Sequence, residues 1–209
     1  DITQGPAMTR EQAADAILYG MNLVKELKEE GYRLIATGEM GIGNTTTSSA
    51  LLSVLLHRPV EEMTGRGAGL SSEGLKRKID AIHCAIEVNQ PDPDDPLDTL
   101  HKVGGLDIAG LVGVFLGGAH YHLPIVIDGV ISGAAAFTAT KFCKTASDYW
   151  IGKIVLDALG KKPLITCEMC LGEGTGAVAA FPLLDMANAI YSQMSTFSEI
   201  EMEEYKHLV

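Results

Sequence analysis

Thr37-Gly-Glu-Met-Gly-Ile-Gly-Asn-Thr-Thr-Thr-Ser-Ser49 is the stretch that decides how the chain is read. Before it, Tyr32-Arg33-Leu34-Ile35-Ala36 is an apolar run that predicts a short buried strand. Gly38, Gly41 and Gly43 then let the backbone turn tightly and come close to a ligand. Asn44, Thr45, Thr46 and Thr47 follow, amide and hydroxyl groups of the kind that open a helix. Strand, glycine turn and helix start, in that order, set N–H groups and the positive end of a helix dipole at the strand's carboxyl edge. Phosphate is the natural guest there. The stretch is not a Walker motif, because no Gly-Lys-Ser/Thr closes it. Nor is it the dinucleotide GxGxxG, because the spacing differs and Glu39 sits inside the turn. Glycines serving only strand-to-helix packing would give the same pattern, so the turn by itself leaves both readings open.

The 209 residues, 46% of them apolar, suffice for one sizeable core with at most a small satellite. Twenty-three glycines and an aromatic content of 6% fit an α/β enzyme with many ligand-approaching turns better than a β-sandwich or a repeat protein. A formal charge of −11 argues against a general nucleic-acid binder, which needs a basic field. It does not exclude an anionic small molecule, since local N–H groups hold phosphate whatever the net charge. Cys84, Cys143, Cys167 and Cys170 do not form a disulfide framework for a chain this large. The Cys167-Glu-Met-Cys170 pair lacks a second pair or a spaced histidine, so no metal is expected. No signal-peptide pattern and no clean membrane-length apolar run is present, and a reducing cytoplasm is the expected compartment. The chain opens at Asp1 without Met, and ITQGPAM reads as a link between elements, so part of a larger protein is expected.

Thr9, with Gln12 three residues on, predicts a capping box and a helix to about Glu29. A second helix is expected from the glycine turn to about Leu56, and a third over residues 72–89 with Leu75, Ile79, Ile82 and Ile86 buried. Arg66, between Gly65 and Gly67, is either an anion contact or a solvated guanidinium. Lys76, Arg77 and Lys78 lie in the first turns of the third helix, where one of them can reach a phosphate on the preceding turn. QPDPDDP at residues 90–96 reads as a solvated linker. A short helix over residues 97–103 leads to a small-residue helix after Gly104-Gly105, in which Ala109, Gly110, Gly113, Gly117 and Gly118 predict tight packing on a sheet. Pro124–Ile127 predicts a strand ending at Asp128, which is there either as an active-site acid or as a helix cap. Helices over residues 132–143 and 152–159, a strand over 164–167 and a helix over 177–193 complete the pattern, with Pro182 tolerated in the early turns of the last.

Leu171-Gly-Glu-Gly-Thr-Gly176 repeats the theme of a lone carboxylate framed by glycines ahead of a helix. In an open parallel sheet such turns meet over the carboxyl edge, so Glu39 and Glu173 are expected to share one cleft. Two carboxylates shielded from water push at least one pKa upward, giving an acid or base usable near neutral pH. The residues alone therefore imply an enzyme acting on a phosphorylated small molecule. The expected fold is α/β: an open, mostly parallel sheet flanked by helices in a Rossmann-like three-layer arrangement, with part of a small helical domain. Residues 1–30 and 181–209 are assigned to the helical part and 31–180 to the core.

GEMGIGNTTTSSA (Gly38–Ala50), GRGAGL (Gly65–Leu70), PIVIDGVISGAAA (Pro124–Ala136) and CLGEGTGAVAAFPLLDMA (Cys170–Ala187) resemble, in order, the nicotinate-nucleotide:dimethylbenzimidazole phosphoribosyltransferase family. The resemblance, to which ITQGPAMT adds, covers nearly the whole chain. It implies transfer of ribose phosphate from nicotinate mononucleotide to 5,6-dimethylbenzimidazole, with inversion, giving α-ribazole 5′-phosphate and nicotinate. The glutamate matching Glu173 would be the general base, and the one matching Glu39 would assist or substitute. The backbone around Gly41, through Ile42, Gly43, Asn44 and Thr45, and the lysine matching Lys78 would hold the phosphate. Gly172, Gly174 and Asp128 complete the candidate substrate-binding set. A homodimer is implied, with no cofactor, metal, nucleic acid or membrane partner. Alternatives are another lower-ligand base as acceptor, or a non-catalytic partner subunit of the same fold. Two departures stand out. The family has a long portion ahead of ITQGPAMT, and it has a loop between the segments that here abut at Trp150–Ile151, so residues missing at that junction are expected.

Overall fold

The computed structural model describes residues 1–151 and 171–203. Helix α1 (Arg10–Glu29) opens on a reciprocal capping box. The Thr9 hydroxyl accepts from the Gln12 N–H at 3.1 Å, and the Gln12 side chain accepts from the Thr9 N–H at 2.9 Å. The expected first strand shortens to β1 (Ile35–Ala36), because only that part of the run lies against β2 (Ile125–Val126). β1, β2 and β3 (Trp150–Ile151) form a parallel sheet in that order, with Ile35 opposite Ile125 and Ile125 opposite Trp150. The abutting pair Trp150–Ile151 is itself β3. The helix and strand expected over 152–159 and 164–167 lie outside the described residues.

Helix α2 (Asn44–Leu56) follows the glycine turn, and the short α3 (Val60–Met63) leads toward α4 (Ser72–Asn89). Ser71 caps α4 by accepting from the Gly74 N–H at 3.1 Å. The acidic stretch over 90–96 is not a loose linker. Asp95 accepts from the Leu97 and Asp98 N–H groups, each at 3.0 Å, to cap α5 (Pro96–Val103), and meets Arg10 at 2.7 Å. That contact ties the start of α1 to the start of α5.

Helix α6 (Leu106–Tyr121) is the centre of the core. It packs on α1, on α7 (Val130–Phe142), on β2 and on the 3-10 helix Lys144–Tyr149. Phe115, Ile108, Val112, Leu51, Leu55 and Ile125 are fully enclosed there. The sequence predicts that the glycines of α6 face the sheet; among the described residues Gly118 alone does, lying against Leu123 and Ile125. Gly113 and Gly117 face α1 instead. A Cβ on Gly113 would fall 2.8 Å from the Ile17 carbonyl carbon and 3.0 Å from the Gly20 Cα, so the two helices cross backbone to backbone. The helix predicted over 177–193 is two helices, α8 (Thr175–Ala179) and α9 (Phe181–Gln193). Pro182 has no N–H to continue the ladder, and it sits instead in the first turn of a new helix. Among the described residues no helix is long and apolar enough to cross a membrane.

Candidate active site

Because β1 and β2 run parallel, their carboxyl ends lie on one edge of the sheet, and the candidate site is assembled there. Thr37, buried, anchors the first glycine turn. Its N–H and its hydroxyl both donate to the Val126 carbonyl, at 3.0 and 2.7 Å. The next residue, Gly38, touches the second glycine turn directly. A Cβ there would lie 2.6 Å from the Gly174 Cα and 2.7 Å from the Glu173 carbonyl carbon. The turns bearing Glu39 and Glu173 are thus in backbone contact, at a position only glycine permits.

The second turn is held in an uncommon conformation. Gly172, Glu173 and Gly174 all have positive φ, at 77°, 57° and 85°. For a glutamate this is sparsely populated backbone, of the kind that persists only where its surroundings impose it. Asp128, just past β2, imposes it. One carboxylate oxygen accepts from the Gly174 N–H at 3.0 Å, and the other accepts from Gly176 and Ala177 at 2.7 and 3.1 Å. Of the two roles open to Asp128, the geometry gives capping: both oxygens are committed to the backbone of the Glu173 turn. Glu173 itself is exposed at the turn's crest.

Helix α2 starts at Gly43, which has a φ of 92° and supplies no side-chain cap. That leaves the positive end of the helix open beside Asn44 and Thr45. Lys78 reaches it from α4. Although lysine at the start of a helix ordinarily faces solvent, Lys78 is only 8% exposed. Its ammonium donates to the Thr45 hydroxyl at 2.8 Å and to the Gly65 carbonyl at 3.1 Å. Burial pushes its pKa below the ordinary lysine value. An uncapped helix start with an ammonium beside it is a ready anion cradle. Arg66 does not join it, because its guanidinium bonds the Leu70 carbonyl of its own loop and the Ser72 hydroxyl at the start of α4, at 2.8 and 3.0 Å. Ile42 and Met40 project into solvent, so at these positions the turn offers a ligand its backbone.

The Glu39 carboxyl folds back over Gly41, where a Cβ would meet its Oε1 at 2.5 Å and the Asn44 Nδ2 at 3.1 Å. Its Oε2 is buried without a hydrogen-bond partner. Burial raises the Glu39 pKa, and the neighbouring charge of Asp107 raises it further. Asp107 lies in the first turn of α6, where the helix dipole favours a carboxylate. Nothing in its spacing from Glu39 along the chain signals this influence. No group of side chains suited to a metal ion occurs among the described residues.

Residues 1–202 match the family model described as Phosphoribosyltransferase. The chain belongs to this family. The nicotinate-nucleotide–dimethylbenzimidazole phosphoribosyltransferase of Ruminiclostridium cellulolyticum is 48% identical over 217 aligned positions, covering 100% of this chain and 62% of the relative. The protein of the same name from Clostridium acetobutylicum is also 48% identical, with the same coverage. The crystal structure of CobT from Thermus thermophilus superposes with a TM-score of 0.90 at 39% identity, over 98% of this chain and 63% of that one. The chain therefore spans about three fifths of the length of these relatives. This chain carries both glycine-framed glutamates, the open start of α2 and Lys78.

Proposed function

We propose that the protein transfers the phosphoribosyl group of nicotinate mononucleotide to 5,6-dimethylbenzimidazole, the pair of substrates in the names of its relatives. The observation that carries the reading is the backbone contact between the turns of Glu39 and Glu173, next to an uncapped helix start served by Lys78. The 5′-phosphate sits at the start of α2, taking N–H groups of the Gly41–Thr45 backbone and the Lys78 ammonium. That clamp fixes C1′ of the ribose near the two carboxyl groups. A ring nitrogen of the benzimidazole attacks C1′ from the face opposite nicotinate, forming the new N–C1′ bond as the old one breaks. Inversion follows. The departing ring is already cationic in the substrate and takes the bond pair to become neutral pyridine nitrogen, so it needs no acid. The proton requiring removal is the one on the acceptor's other nitrogen, and the Glu173 carboxylate receives it. No redox or metal step enters this balance.

The reading carries with it a cytoplasmic homodimer. Incubating the full-length protein with nicotinate mononucleotide and a panel of benzimidazoles, purines and phenols tests it. The expected result is that α-ribazole 5′-phosphate forms from 5,6-dimethylbenzimidazole faster than any other base gives its own riboside phosphate. A preference for a purine or phenol would move the acceptor, and no riboside phosphate from any base would overturn the reading.

A further inference from the structure

The hydroxyls in the first turns of α2 do not all behave alike. Thr47 donates to the Asn44 carbonyl at 3.0 Å and Ser49 to the Thr45 carbonyl at 2.8 Å, the way a helix absorbs such groups into its own backbone. Thr45 turns to another element instead. Its Oγ1 accepts from the Lys78 ammonium at 2.8 Å, a contact between α2 and α4 over 33 positions of sequence. Of the N–H groups of that ammonium, one goes to Thr45 and one to the Gly65 carbonyl at 3.1 Å, which leaves a third. Because an ammonium is tetrahedral, pinning two of its N–H groups fixes the direction of the third. With the Gly65 bond alone the group would pivot on its flexible stem. The pair is also enclosed. Gly67, with a φ of 55°, lies where a Cβ would fall 3.0 Å from Thr45 Oγ1 and 3.8 Å from Lys78 Nζ. β-Branching leaves the Thr45 side chain few rotamers, so the threonine is the rigid member of the pair.

We propose that Thr45 is a positioning residue: its hydroxyl holds the Lys78 ammonium so that the remaining N–H meets the phosphate of the ligand at the start of α2. Thr45 thereby acts on the phosphate of the ligand and not on its nucleoside part. That the ligand is nicotinate mononucleotide rests on the transferase reading; the coupling of Thr45 to Lys78 does not.

Ligand affinities of the full-length protein test this in wild type, T45V, T45S, K78A and T45V/K78A. The probes are nicotinate mononucleotide, nicotinate riboside and inorganic phosphate. T45V keeps the branching and removes the hydroxyl. It weakens nicotinate mononucleotide and inorganic phosphate by about tenfold, the scale of one hydrogen bond to a charged group, and leaves nicotinate riboside unchanged. T45S, which keeps the hydroxyl, binds both phosphates like wild type. In the K78A background T45V costs nothing further, because no ammonium is left to direct. In the transfer assay T45V raises the KM for nicotinate mononucleotide more than it lowers kcat. An equal T45V loss with and without Lys78 would make Thr45 an independent contact and overturn the proposal. So would a T45V affinity equal to wild type, or a loss shared by nicotinate riboside. If T45V does not fold, T45A in the same two backgrounds decides. Binding of inorganic phosphate that depends on both Thr45 and Lys78, with no binding of nicotinate mononucleotide, would sink the transferase reading and leave the coupling in place.

Discussion

At the scale of single residues, the site is a set of side chains whose neighbours decide what each one does. Asp128 and Glu39 are both acids at strand ends, yet one is saturated by three backbone N–H groups and the other has a buried oxygen with none. Asp128→Ala strips the clamp from a turn that runs through three left-handed residues. We expect a stability loss of about 1–3 kcal/mol in urea unfolding, from lost hydrogen bonds to a charged group. Turnover should fall more than nucleotide affinity does, because Glu173 loses its fixed place; equal losses in both would make Asp128 a binding residue. Lys78 makes a different claim. Its folded pKa is lowered from the ordinary 10.5. Between the lowered value and 10.5 the unfolded chain binds more protons than the folded one, so this group makes stability rise with pH across that window. Phosphate affinity runs the other way, because it needs the ammonium. Nicotinate mononucleotide affinity should therefore fall as pH rises through the lowered value, before 10.5 is reached. In Lys78→Ala the affinity should be weaker at neutral pH and flat across the same window. A wild-type affinity unchanged up to pH 10.5 would remove Lys78 from the phosphate site.

At the scale of elements, what the sequence reveals depends on whether the cause is local. The capping box at Thr9 and the Ser71 start of α4 come from side chains within a turn of their targets, and they are legible. The division of α8 from α9 at Pro182 is not, since a proline in an early turn is compatible with one helix or with the start of a second, and the single helix expected there is wrong. The role of α6 is half legible. Small residues announce a close approach, but the chain does not say what approaches, and the partner is α1. A matched pair of variants separates packing from propensity on this helix. At Gly113 a Cβ meets α1 backbone, so Gly113→Ala should destabilise by about 1–3 kcal/mol through overpacking. Among the described residues a Cβ at Gly110 meets nothing within 4 Å, so Gly110→Ala should stabilise by about 0.5–1 kcal/mol through helix propensity. Chemical denaturation of the two proteins reads the opposite signs; shifts of the same sign would contradict the backbone crossing.

At the scale of the whole molecule, the parallel sheet places two turns far apart in sequence on one edge, and everything else in the site follows from that. The repeated pattern of a glutamate between glycines is legible as a pair. Its joining is an expectation from sheet topology, which the contact between Gly38 and Gly174 gives in atomic terms. The influence of Asp107 on Glu39 is not legible, because the two residues are far apart in sequence and no local pattern links them. The family and its fold are legible in long ordered motifs, and the superposition with the Thermus thermophilus structure agrees with them. The central claim is that the two turns form one transfer site with Glu173 as its base. Single-turnover transfer from nicotinate mononucleotide to 5,6-dimethylbenzimidazole, measured beside nucleotide affinity in wild type and Glu173→Gln, tests it most directly. The account predicts a rate loss of about 10²- to 10⁴-fold with affinity unchanged; a Glu173→Gln rate close to wild type would contradict it.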